Sequence, residues 1–172
     1  MEKTKTQRKA KPDAGPLGEL YADPIFLVRR ANQIATAVFW DTCAKLDLTP
    51  AQYYVLFVLR QRSPISHNEL GRCANLDPST TNLVVRLLRE RGMVRAQPHA
   101  SDRRKTLLLL TGGGRTLLTR ADELCSCAGR EFLSVFGKTQ AGSFVQSLRH
   151  LTSIHEARKS EAPSRMTARP RI

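Results

Sequence analysis

Apolar residues recur at helical spacing along most of the chain, and the gaps between these runs carry Pro, Gly and capping residues. The stretch "ADPIFLVRRANQIATAVFWDTCAKL" predicts a long helix. Asp23 suits its N-cap, and Pro24, lacking an N–H, suits its first turn. Leu27, Ala31, Ile34 and Val38 share one face. "LTPAQYYVLFVLRQ" repeats the device: Thr49 caps, Pro50 opens and Gln52 completes a capping box. Tyr53, Leu56, Phe57 and Arg60 fall on a common face, and Ser63-Pro64 ends the helix. "ISHNELGRCANL" predicts a short helix opened by Ser66 and Glu69 and ending near Asn75. "DPSTTNLVVRLLRERG" follows almost at once, with Asp77 as cap, Pro78 in the first turn and Gly92 beyond the last. The pairs Leu83/Leu87 and Val84/Leu88 give it a buried side at i, i+4. So short a gap between two helices is the spacing of a helix-turn-helix.

"MVRAQPHASDRRKTLLLLT" changes period. Val94 and Ala96 alternate with Arg95 and Gln97, and an apolar run at 107–110 answers them across a polar turn. A strand pair behind a helix-turn-helix is a wing. Two further helical patterns follow, "RTLLTRADELCSCAGREFLSVF" and "TQAGSFVQSLRHLTSIHEA", the second capped by Thr139. Gly112-Gly113-Gly114 lacks the Gly-Lys-Ser/Thr ending of a phosphate loop and reads as a flexible strand-to-helix junction. The fold class is therefore mainly α with a small β wing (α+β). It is a winged helix-turn-helix core at about 49–111 with flanking helices. The domain is expected at 17–157, between polar, Pro-containing tails at 1–16 and 158–172 that read as disordered.

Charge adds a partner. The 172 residues carry a formal net charge of +13. The tails hold Lys3, Lys5, Arg8, Lys9 and Lys11 at one end and Arg158, Lys159, Arg165, Arg169 and Arg171 at the other. Roughly half the excess still stays with the body, so the folded part is itself basic and favours an anionic partner, nucleic acid foremost. No run approaches the ~18 apolar residues of a membrane span, and no apolar leader is present, so a cytoplasmic protein with no membrane partner is expected. Cys43, Cys73, Cys125 and Cys127 do not form a disulfide framework. Cys125-x-Cys127 has no second ligand pair, and His67, His99, His150 and His155 form no triad or zinc set. No metal, cofactor or enzymatic activity is expected.

The helix opened by Asp77 is the candidate reader. Ser79, Thr80, Thr81 and Asn82 crowd its first turn and Arg86 lies one turn on. Small and amide side chains let a helix approach base edges in a major groove. In the wing turn, Asp102, Arg103, Arg104 and Lys105 form a compact charged tip.

The segments "LTPAQYYVLFVL" and "ISHNELGRCANLDPSTTNLVVRLLRERGMVRAQPHASDRRKTLLLLTGGGRTLL" resemble the multiple-antibiotic-resistance regulator (MarR) family of winged-helix transcription factors. An Asp followed two residues later by Arg in the wing, and a strand closing in Leu-Thr-x-x-Gly-x-x-Leu, carry the resemblance. It implies a homodimeric repressor on a palindromic double-stranded DNA operator. Residues 79–86 would read the major groove, Arg104 would enter a minor groove and Asp102 would orient a nearby Arg. Arg103 and Lys105 would then serve phosphates, which give affinity without sequence information. The resemblance also makes the first helix and the last two, with their leftover apolar faces, the flanking dimerisation helices.

Family members also bind small aromatic or anionic effectors. The residues expected to do so here are Tyr21, Phe26, Arg29, Arg30, Gln33, Trp40, Tyr53, Tyr54 and His67, because an Arg among rings suits an aromatic carboxylate. "FLVRRANQIATAVF" followed by "LTPAQY" is similar to family repressors of nicotinate degradation, which implies a hydroxylated nicotinate as effector. Two alternatives remain: a thiol- or oxidant-sensing regulator of the same fold, and a non-specific basic architectural DNA-binding protein.

Overall fold

The computed structural model describes residues 17–99 and 106–161. The chain divides into two compact units, Met1–Gly129 and Arg130–Ile172. The first contains α1 (Gly18–Ala22), α2 (Pro24–Cys43), α3 (Pro50–Arg62), β1 (Ile65–Ser66), α4 (His67–Cys73), α5 (Pro78–Glu90), β2 (Val94–Pro98) and β3 (Thr106–Leu110). It also holds most of α6 (Gly112–Leu133), within which the division falls. The second contains α7 (Lys138–Glu161).

Four of the five predicted N-caps are in place; the exception is Thr139, which lies inside α7 because that helix already begins at Lys138. Asp23 accepts the Phe26 N–H at 2.7 Å. Thr49 and Gln52 form the reciprocal box, each side chain accepting the other's backbone N–H. Ser66 accepts the Glu69 N–H, and Asp77 the Thr80 N–H. Gly92 stands at φ 70°, the left-handed conformation that closes a helix without a Cβ penalty. Arg91, beside it, reaches away: its guanidinium donates to the carbonyls of Asp47 and Leu46, at the corner after α2.

The wing is a three-stranded antiparallel sheet in the order β1-β3-β2. The two-residue β1, too short to show a period, was not legible in the sequence. Val94 pairs with Leu110 and Pro98 with Thr106, the last pair before the tip. β3 is central, which is why four consecutive leucines occupy it: Leu108 and Leu110 enter the core and Leu107 and Leu109 are half-buried. Leu56, Leu59, Leu70, Val85, Leu88 and Leu118 join them in one apolar cluster.

Three further expectations are corrected. The glycines at 112–114 are no flexible junction, since α6 begins at Gly112. Thr111 caps it by accepting the Gly114 N–H at 3.0 Å, while its own N–H donates to the Met93 carbonyl. Helix α7 runs to Glu161 rather than stopping at 157; no Pro or Gly interrupts the chain there before Pro163. On α5, Leu83 is 47% exposed and the buried residues are Thr81, Val84, Val85 and Leu88. The rotation is set by α4, where Gly71 lies so close that a Cβ on it would sit 2.7 Å from the Thr81 hydroxyl. The tail predicted at 1–16, and the part of the tail predicted at 158–172 that follows 161, lie outside the described residues.

Helix α2 buries only Phe39 and Cys43 and leaves Ile25, Leu27, Val28 and Ile34 exposed. In the second unit Phe144 stacks on Phe136 at 5.1 Å, while Leu148, Leu151 and Ile154 of α7 are exposed.

Candidate functional site

Helices α4 and α5 are joined by a four-residue turn in which Asn75 takes a left-handed conformation (φ 53°). Beyond it, the Asp77 carboxylate receives both the Thr80 N–H and the Thr80 hydroxyl, at 2.9 and 2.6 Å. The hydroxyl, then the N–H, hold this carboxyl below its usual range. Thr80 is therefore committed to the cap. Thr81 is a correction to the expected reading set: it is 2% exposed, packed against Gly71, and donates its hydroxyl to the Asp77 carbonyl. A residue so enclosed stabilises the turn and has almost no surface left to offer a partner.

Ser79, Asn82 and Arg86 are exposed. At about 100° per residue they fall on one stripe, opposite Thr81, Val84, Val85 and Leu88. Arg86 meets Glu90 only loosely, at 3.8 Å with both side chains largely solvated, an arrangement that restrains an arginine little. Behind this stripe a shallow basic groove between α5 and β2 is lined by Arg86, Arg89, Glu90, Val94, Arg95 and Ala96. Asp102, Arg103, Arg104 and Lys105 lie outside the described residues.

The predicted effector residues are not brought to one place. Tyr21, Phe26 and Arg30 gather at the start of α2, with the rings 5.6 Å apart edge to face and the Arg30 guanidinium 5.3 Å from the Tyr21 centroid. Phe26 and Phe39 are thirteen residues apart, about 20 Å along a helix. The second cluster is around Phe39: Tyr53 lies 6.1 Å from its ring and 5.6 Å from that of Tyr54. Arg29 and Gln33 are exposed along α2, and Trp40 is 41% exposed. His67 belongs to neither cluster. It is half-buried on α4, and burial, then the Arg89 charge, lower its pKa.

Sequence reasoning missed the groups that organise the second cluster. The Tyr53 hydroxyl donates to Asp122 of α6 at 3.2 Å. The other Asp122 oxygen receives the Arg60 guanidinium, which also lies 4.9 Å from the Phe57 centroid. Burial, then the Cys125 and Asp122 charges, raise the Tyr53 pKa, so the phenol remains a donor. Cys125, one turn beyond Asp122, has its sulfur 3.8 Å from that of buried Cys43. Burial and the neighbouring thiol push Cys125 up to about 12, and burial raises Cys43. Only the shared face of Tyr53, Phe57 and Arg60 signalled this cluster; residues 69 and 82 positions apart become neighbours through the fold alone.

A helix-turn-helix followed by an antiparallel wing, with a polar stripe turned outward on its second helix, defines a winged-helix DNA-binding protein. Residues 46–105 match the profile of the MarR family. Over 145 residues the chain is 32% identical to the HTH-type transcriptional repressor NicR of Pseudomonas putida, covering 82% of this chain and 90% of that one. The structure resembles Bordetella bronchiseptica BpsR, whose DNA binding is regulated by 6-hydroxynicotinic acid, with TM-score 0.69 and 25% identity over 84% of this chain and 98% of that one. It also resembles the repressor CouR bound to a 23-mer DNA duplex, with TM-score 0.73 and 26% identity over 79% and 96% of the two chains. The chain belongs to the MarR family: it is a transcriptional repressor, not an enzyme. Among the described residues no helix is long and apolar enough to cross a membrane.

Proposed function

We propose that the protein is a homodimeric repressor that reads a palindromic operator and leaves it when a small aromatic acid, such as a hydroxylated nicotinate, binds. The observation that carries the DNA reading is the stripe of Ser79, Asn82 and Arg86 on a helix whose opposite side is locked into the core. Asn82 suits adenine and Arg86 suits guanine in a major groove. In the wing, Arg104 enters the minor groove, Asp102 orients a neighbouring Arg, and Arg103 and Lys105 meet phosphates. Two copies are supported by the exposed apolar residues of α2 and α7. Two-fold symmetry then spaces two half-sites by about one helical turn.

The effector reading is supported by the relation to BpsR and by the ring cluster at Tyr53. There an aromatic acid can stack while its carboxylate competes with Asp122 for Arg60. Bound ligand shifts the protein away from the operator only if it prefers the form that does not bind DNA. Oxidant sensing through the Cys43–Cys125 pair is disfavoured, because thiols held protonated by burial are poor nucleophiles.

Fluorescence anisotropy tests the proposal, with DNA from upstream of the protein's own gene set against a random duplex at two salt concentrations. The expected outcome is preference for the first duplex and its loss on adding 6-hydroxynicotinate. Equal affinity for both duplexes would favour the architectural alternative. An operator complex indifferent to a panel of aromatic acids would remove the effector.

A further inference from the structure

The exposed stripe of α5 contains one residue out of character. Leu83 follows Asn82 directly, lies four residues after Ser79 and three before Arg86, and is 47% exposed. At about 100° per residue it sits within some 60° of both Ser79 and Arg86. The remaining apolar residues of the helix, Val84, Val85, Leu87 and Leu88, are buried or half-buried. Leu83 lies outside the buried row of Val84, Val85 and Leu88. Its apolar neighbour is half-buried Leu87 one turn on, and its other neighbours on the stripe are a hydroxyl, an amide and a guanidinium.

We propose that Leu83 is a specificity-determining residue that reads thymine through its C5-methyl group; the proposal rests on the reading that α5 enters a major groove. The base edges of that groove offer hydrogen-bond donors and acceptors, which Ser79, Asn82 and Arg86 can answer, and one apolar feature, the thymine methyl. A leucine facing the groove loses water without return opposite any base but thymine. Opposite thymine, two methyl-bearing surfaces leave water together. Beside it, Asn82 favours adenine, so the pair Asn82-Leu83 selects A·T pairs within each half-site.

The test uses the full chain and a site enriched from a random duplex library. Each thymine is replaced in turn by deoxyuridine, which lacks only the methyl, and affinities are measured by anisotropy. Burying one methyl corresponds to about fourfold in affinity, so replacement in both half-sites should cost about sixteenfold. The penalty should fall on one thymine per half-site and shrink below about twofold in Leu83→Ala. Circular dichroism confirms that this exposed position has been changed without unfolding. No position sensitive to deoxyuridine, or an equal penalty in Leu83→Ala, would overturn the proposal. Enrichment of the same site by an Asn82→Ala, Arg86→Ala double variant would overturn the major-groove reading, and the proposal with it.

Discussion

The three adjacent glycines at the start of α6 should respond to alanine in different ways. A Cβ on Gly114 would stand 2.3 Å from the Met93 carbonyl oxygen, 2.7 Å from Leu110 Cδ1 and 3.2 Å from the Met93 carbonyl carbon. Close carbon–oxygen contacts are about 3.3 Å, so the backbone must part by roughly 1 Å. That carbonyl also receives the Thr111 N–H, so the movement strains the joint of helix and wing. Overpacking costs about 1–3 kcal/mol, at the upper end when the obstacle is main chain, and alanine returns up to ~1 kcal/mol of helix propensity. The net loss for Gly114→Ala is about 2 kcal/mol, which lowers Tm by roughly 4–8 °C in a chain of this size. Gly112 has nothing within 4 Å of its added Cβ, and Gly113 only ordinary contacts from 3.7 Å. Alanine at either should leave Tm unchanged or raise it by a few degrees. Thermal melts followed by circular dichroism at one scan rate compare the three variants. A Gly114→Ala protein melting within about 1 °C of the parent would refute the close-approach argument, as would equal losses at all three positions.

Asp122→Asn removes the charge that occupies Arg60, so affinity for 6-hydroxynicotinate should rise several-fold by calorimetry; weaker binding would count against an Arg60 clamp. His67 is kept neutral in the fold by burial and by Arg89, so the unfolded chain binds its proton first. Stability is then full above the ordinary imidazole value near 6.5 and declines as pH falls through the lower folded value. Urea titrations from pH 8 to 5 should show that decline, flattened in His67→Gln. Iodoacetamide applied to the native protein should label exposed Cys73 well before buried Cys43, by peptide mass spectrometry. Equal rates would show that the Cys43–Cys125 contact opens readily.

The elements were legible where local chemistry decides them. Asp23-Pro24, Thr49-Pro50-Gln52 and Asp77-Pro78 mark three helix starts, and each cap is formed by the predicted side chain. The rotation of α5 was not legible. Leu83/Leu87 and Val84/Leu88 describe adjacent rows at the same spacing, and only the contact of Thr81 with Gly71 chooses between them. The same contact withdrew Thr81 from the reading set. The effector residues were chosen by type, and rings on one long helix can be far apart. Asp122 could not be foreseen, because an acid on a charged amphipathic helix looks like an ordinary solvated residue until α3 packs beside it.

Arg91 gives the molecule a mechanical property. Its guanidinium ties the end of α5 to the carbonyls of Leu46 and Asp47 and meets the Asp47 carboxylate at 3.6 Å. Asp47 itself is fixed in a left-handed turn where the chain leaves α2. The end of α5 is thereby joined directly to the corner after α2, without passing through the wing. Since Leu46 and Asp47 both accept through main-chain oxygen, the hydrogen-bonded part of the tie outlasts loss of the Asp47 carboxylate, and all of it depends on arginine at position 91.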